Sequence, residues 1–129
     1  MKRILVIIWV GIVLSSCEGN TDYTWKIRNN SSTIVYSQLK LVNGSTPNIS
    51  ILPMEETAFS VLNNRGGSAR PIEPKNFIET MKVYNMAQDS SLKDFRISTN
   101  WETRITRVSE IPSLFEQEYI LVLEDSDFK

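Results

Sequence analysis

The sequence predicts an all-β protein: a single β sandwich, immunoglobulin-like or related, with seven to eight strands. Two observations carry this. From Tyr23 onward the chain breaks into short runs rich in β-branched and aromatic residues, separated by clusters of Asn, Gly, Ser and Pro. No segment beyond Tyr23 carries a helical period longer than two turns, whereas EYILVLE at 118–124 is almost continuously apolar, the pattern of a central strand buried on both faces.

The elements follow in order. YTWKIR at 23–28 alternates, which places Tyr23, Trp25 and Ile27 on one face. NNSS at 29–32 is a turn, TIVYSQLKLV at 33–42 a second strand, and NGSTPN at 43–48 a reversal led by Asn43-Gly44. ISIL at 49–52 and TAFSVL at 57–62 are strands separated by PMEE. NNRGGSARPIEP at 63–74, with Gly66-Gly67 and two prolines, reads as an irregular loop. NFIETMKVY at 76–84 reads as a strand with Phe77, Glu79, Met81 and Val83 on one side, and a short helix is the alternative because Met, Glu and Lys tolerate helices. FRIST at 95–99 and WETRITRV at 101–108 form an expected hairpin closed near Asn100, and Ile111-Pro112 marks a turn before the last strand.

The first 22 residues have a different character. MKR is followed by eleven uncharged residues, Ile4–Leu14, and then by Ser15-Ser16-Cys17. A basic start, an apolar run and small residues before a break are the plan of a secretory signal. A helix over that run reaches about 17 Å, too short for a hydrocarbon core of about 30 Å. Leu14-Ser15-Ser16-Cys17 resembles the lipobox of bacterial lipoproteins. That resemblance implies cleavage before Cys17, a diacylglycerol thioether on its sulfur and acylation of the new amino group. Two or three acyl chains, at about 0.8 kcal/mol per buried methylene, hold a protein on a membrane where one chain does not. The implied organisation is a cleaved signal at 1–16, a lipidated Cys17 with a tether at 17–22, and a sandwich domain at 23–129.

The resemblance also implies a bacterial cell envelope location. Glu18 is not the Asp that marks inner-membrane retention in the enterobacterial scheme, and EGNTD at 18–22 is thinly charged beside the cluster that accompanies surface export in Bacteroidetes-type cells. The outer membrane, facing the periplasm, is the expected place. The polar tether, YTWKIRNNSS and YILVLEDSDF resemble in style the small all-β lipoproteins of such envelopes.

Composition narrows the chemistry. Cys17 is the only cysteine and histidine is absent. This removes an intramolecular disulfide, a Cys–His nucleophile and any His/Cys metal site, so no cofactor and no metal is expected. The chain carries 14 basic and 15 acidic residues, and loss of Lys2 and Arg3 leaves 12 and 15, a net charge of about −3. Such a balance gives no case for a nucleic-acid partner.

Glu124, Asp125 and Asp127 are acidic but lack the spacing of a calcium loop, and read as a solvated strand end. Glu55, Glu56, Glu116 and Glu118 are carboxylates that a small hydrolase could use; surface decoration is the simpler reading. Asn29, Asn30, Asn43 and Asn48 begin N-x-S/T sequons and read as turn residues. Trp25 and Trp101 read first as core or sheet-face packing. If exposed beside Arg104 or Arg107, either tryptophan could stack on a carbohydrate or a protein. Arg96, Arg104 and Arg107 are expected to pair across strands with Glu102 or Glu116.

The leading functional expectation is a non-enzymatic, membrane-anchored binding module for a protein or glycan partner. The alternatives are a structural or assembly accessory without ligand, and a small carboxylate-dependent hydrolase.

Overall fold

The computed structural model describes residues 19–65, 71–110 and 113–129. Cys17, Gly66-Gly67 and Ile111-Pro112 lie outside them. Among the described residues seven strands run in chain order: β1 (Asn20–Asn29), β2 (Val35–Leu41), β3 (Asn48–Ile51), β4 (Glu56–Arg65), β5 (Ile78–Asn85), β6 (Trp101–Glu110) and β7 (Ser113–Leu123). A one-turn helix, α1 (Pro74–Phe77), leads into β5. The strands form a four-stranded sheet of order β4-β1-β7-β6 and a three-stranded sheet of order β3-β2-β5. One hydrophobic core draws on both. The chain is therefore a β sandwich.

Its wiring is set by β1. This strand lies antiparallel to β4 and parallel to β7, so the first and last strands are neighbours at the centre of the larger sheet. Constant-type immunoglobulin domains share the four-plus-three count but order their strands differently. Alternation explains the layering. Tyr23, Trp25 and Ile27 of β1 point inward, and Tyr119, Leu121 and Leu123 of β7 join them in the core. Val35, Leu39 and Leu41 of β2, Ile51 of β3 and Ile78 and Val83 of β5 close it from the other sheet. β7 is central, as its apolar run implied, and Ile120 is buried on the outer side too. Lys26 and Glu102 are its direct cross-strand neighbours, and their aliphatic stems can cover it while their charged ends reach water.

Three expectations about the elements are corrected. The segment 95–99 is not a strand: it forms turns and a 3-10 turn at Ser98–Asn100, and β6 pairs with β7 instead. Side chains close this segment locally. Asp94 Oδ1 accepts from the Arg96 amide (2.9 Å), Asn100 Nδ2 donates to the Asp94 carbonyl (2.8 Å), and Trp101 Nε1 donates to the Phe95 carbonyl (2.8 Å). Bonds of this kind compete with a ladder for the backbone. Residues 76–84 divide between the two readings offered for them. Pro74, with its fixed φ, opens the helix, and β5 begins only at Ile78. A register shift at Lys40/Leu41 opposite Glu79 then turns that glutamate outward, where it pairs with Lys40 at 3.2 Å. The tether drawn at 17–22 is also too long, because Asn20–Asp22 already belong to β1 and pair with Arg65–Asn63 of β4.

The outer face of the large sheet is laced by charge. Lys26 Nζ lies 3.1 Å from Glu56 and 2.9 Å from Glu118, and Arg28 reaches Glu56 (2.9 Å) and Glu102 (3.3 Å). Arg104 sits 3.6 Å from Glu118, its direct cross-strand partner. The expected partners of the basic residues are thus corrected: Arg104 meets Glu118, Arg96 meets Asp94 at 3.1 Å, and Glu102 meets Arg28.

Burial alone would raise the Glu56 pKa, but hydrogen bonds from Lys26 and Arg28 outweigh it and hold the carboxyl below its ordinary 4.5. A carboxyl lowered in the folded state contributes stability above its unfolded pKa and loses it as pH falls through the folded value. Glu56→Gln should therefore be less stable than wild type by under about 1 kcal/mol near neutrality. That gap should close as pH falls below the ordinary 4.5 and through the lower value of the folded state. Urea titrations across that range check it, and a gap that widens toward acid contradicts the assignment.

Candidate functional site

Trp25 is fully buried. Its ring stacks on Tyr119 (centroids 4.1 Å apart, planes 14°) and on Phe77 of α1 (4.7 Å, 12°), and Trp101 meets it edge-on at 5.4 Å. Trp25 reaches no surface, so its role is packing. Trp101 stands at the rim of this aromatic group and faces a cleft.

The cleft has a volume of about 530 Å³. It opens where the inward face of β6 runs past the cover of the smaller sheet. Alternation on β6 supplies one wall, Trp101, Thr103 and Ile105; Pro71–Pro74 supplies the other; and Tyr119 and Ser98-Thr99 complete the lining. Ile105 faces inward yet stays 42% exposed.

Tyr119 fixes the geometry. Its hydroxyl accepts from the Ile72 amide (2.7 Å) and donates to Gln117 Oε1 (2.6 Å), which ties the Pro71–Pro74 wall to the central strand. Burial pushes the Tyr119 hydroxyl pKa above its ordinary value, so it remains a neutral donor. Hydroxyls of Ser98, Thr99 and Thr103 and the Glu73 carboxylate are the polar groups of an otherwise apolar lining. Glu73 pairs with Lys75 at 3.2 Å. Such a mixture suits a ligand with an apolar face and hydrogen-bonding edges.

The other anticipated residues are dispersed. Arg104 lies on the opposite, outer face, so Trp101 and Arg104 do not converge. Arg107 follows Ile105 on β6, its guanidinium 5.6 Å from the centre of the Phe115 ring. Glu56 and Glu118 are held by Lys26 on the outer face, and Glu55 and Glu116 are exposed away from the cleft.

The acidic end is occupied with local structure. Asp125 Oδ1 accepts from the amide and hydroxyl of Ser32 (both 2.9 Å), which lowers its pKa. Asp127 accepts from the Glu124 amide (2.8 Å) and pairs with Lys93 (3.5 Å). Among the described residues no group of three potential ligands is placed to hold a metal.

Sequence reasoning missed Asn29 as a structural residue, and Tyr119 and Ile72 as cleft residues. Asn29 occupies the next inward position after Tyr23, Trp25 and Ile27, so the alternation itself places a polar side chain in the core. A shallower groove of about 320 Å³ lies on the smaller sheet, where Tyr36 stacks on Tyr84 (5.5 Å) beside Gln38, Asn48 and Ser50.

No family model and no curated protein matches the chain. Among solved structures, one described as the NMR structure of a protein from Eubacterium rectale is similar over 73% of this chain and 85% of that one, at 8% identity and a TM-score of 0.34.

Proposed function

We propose that this protein is a lipid-anchored module of the bacterial cell envelope, held at the outer membrane by acyl chains on Cys17, that binds a protein or glycan partner without catalysing a reaction. The cleft between β6 and Pro71–Pro74 carries the binding half of this reading. It is concave, mainly apolar, walled by a tryptophan and rimmed by hydroxyls, which is how binding sites for partly apolar ligands are built. The anchor half rests on the order of basic start, apolar run and Leu14-Ser15-Ser16-Cys17. The accessory and hydrolase alternatives have no comparable support. Of the carboxylates named for hydrolysis, Glu56 and Glu118 are ion-paired on the outer face, with Glu56 held ionised there, while Glu55 and Glu116 are exposed away from the cleft.

A photo-crosslinking amino acid at Ser98, in the cleft, is the test. In intact cells it should capture a partner other than a second copy of this chain. The same group at Thr80, exposed on the smaller sheet, should not. Equal capture from both positions, or none from Ser98, contradicts a binding role for the cleft.

A further inference from the structure

Among the described residues β4, β6, β3 and β5 are the edge strands of the two sheets, and they are not equivalent. β3 has only four residues. The outer edge of β5 is taken at Tyr84 by a bridge to Ser90. β4 changes register opposite Trp25/Lys26, which bends it. β6 carries the longest unbroken run of these edges, from Trp101 to Arg107 in register with β7, before its own shift between Arg107 and Ser109. Among the described residues no strand pairs with its outer edge. Unpaired edges of this kind template further strands.

We infer that β6 is the interface through which two copies of this chain join, edge to edge and antiparallel, about a two-fold axis at Thr103. The charge pattern selects that register. In a two-fold antiparallel pair each residue faces one on the same side of the sheet, so a residue lies on the axis. With Thr103 there, Glu102 faces Arg104 of the second copy, twice over. On the cleft side Trp101 faces Ile105, an aromatic against a β-branched residue, and Thr103 faces itself. Pairs of these three types are favourable across strands. An axis at Glu102 or Arg104 opposes like charges, and one at Ile105 sets Arg104 against Thr106.

Glu102 and Arg104 are 60% and 67% exposed; each has one partner within its own copy, Arg28 at 3.3 Å and Glu118 at 3.6 Å, and the contact between copies extends that network. Ile105, apolar and inward yet exposed, gains cover. The two four-stranded sheets become one of eight strands, and the two clefts lie side by side along the seam.

The test uses the full chain in detergent micelles, followed by sedimentation. Wild type should show a concentration-dependent monomer–dimer equilibrium. Arg104→Glu places carboxylates opposite each other and should weaken it about tenfold or more. Glu102→Arg combined with Arg104→Glu should restore it to within about threefold of wild type. Both sites are on the surface, so the fold should persist, and circular dichroism checks this. Thr103→Cys should form an interchain bridge under mild oxidation, with peptide mapping placing it between the two substituted positions. Thr106→Cys, about six residues or 20 Å from its own copy in this register, should not. A monomer at every concentration, no effect of Arg104→Glu, or equal bridging at both positions overturns the proposal.

Discussion

Trp25→Ala should destabilise the protein by about 3–5 kcal/mol. The ring has zero exposure and is stacked on both Tyr119 and Phe77. Its removal leaves a cavity whose walls come from different parts of the fold: β7, α1 and β6. Those walls are fixed by the strand ladder and by the Tyr119 hydroxyl bonds, so the site can collapse only in part. A domain of this size holds about 5–15 kcal/mol in total, so the variant should melt some 10–25 °C lower and lose its near-ultraviolet dichroism first. Trp25→Phe should cost much less. It keeps a stacking ring, and Trp25 Nε1 has no hydrogen-bond partner to lose. Thermal and urea denaturation of the three proteins measure this. A change under about 0.5 kcal/mol for Trp25→Ala, the size of an ordinary surface substitution, contradicts the packing described.

Asn29→Ala is the second large loss, about 2–4 kcal/mol, and its cause is polar. Asn29 is fully buried, and its side chain is saturated. Nδ2 donates to the carbonyls of Thr33 and Ile51 (both 2.8 Å), while Oδ1 accepts from the Ser31 amide (2.9 Å) and hydroxyl (2.5 Å). One amide thus joins the end of β1, the following turn and β3 of the opposite sheet. In the alanine variant the Ser31 hydroxyl can turn to the Thr33 carbonyl at 3.0 Å, but the Ile51 carbonyl and the Ser31 amide lose their Asn29 partner, and each unmade bond to a buried group costs about 1–3 kcal/mol before relaxation. Asn29→Asp should be at least as damaging, because a carboxylate offers acceptors to two carbonyls. Ser31→Ala, which removes one bond and leaves the amide in place, should cost less, about 1 kcal/mol. Urea midpoints of the three variants at constant m-value test this order, and an Asn29→Ala that matches Ser31→Ala refutes it.

Much of the fold is legible because alternation is a local code. Tyr23, Trp25 and Ile27 give β1 its inward face, and EYILVLE gives β7 its central place, without knowledge of any partner. The parallel pairing of β1 with β7 is not legible. It depends on which long connections close favourably, and no residue in either strand records that. The 95–99 segment misleads for a physical reason. Its Phe, Ile and Thr favour strands, but Asp94 and Asn100 at its flanks supply the hydrogen bonds that close it as a turn. Asn29 misleads in the opposite sense: its amide reads as a turn residue, whereas its parity on β1 assigns it to the core.

The cleft was half legible. WETRITRV at 101–108 reads as a strand, so alternation sets Trp101, Thr103 and Ile105 on one face. That this face overhangs the smaller sheet follows from a four-stranded layer meeting a three-stranded one, which only the three-dimensional pairing determines. The Tyr119–Ile72 hydrogen bond that fixes the opposite wall spans 47 residues and leaves no mark in either local sequence. The expectation that Arg104 could stand alongside Trp101 fails because their odd separation puts them on opposite faces of β6.

The proposed function and location both rest on Cys17, and the most direct measurement is made there. Cells producing the full chain are fed a labelled fatty acid, and wild type is compared with Cys17→Ala. The proposal requires label on a shortened wild-type chain in the outer-membrane fraction. It also requires an unlabelled, uncleaved precursor from Cys17→Ala. Equal labelling of the two proteins, or an unlabelled wild type cleaved at another residue and released from the membrane, would contradict the lipid anchor and with it the envelope role.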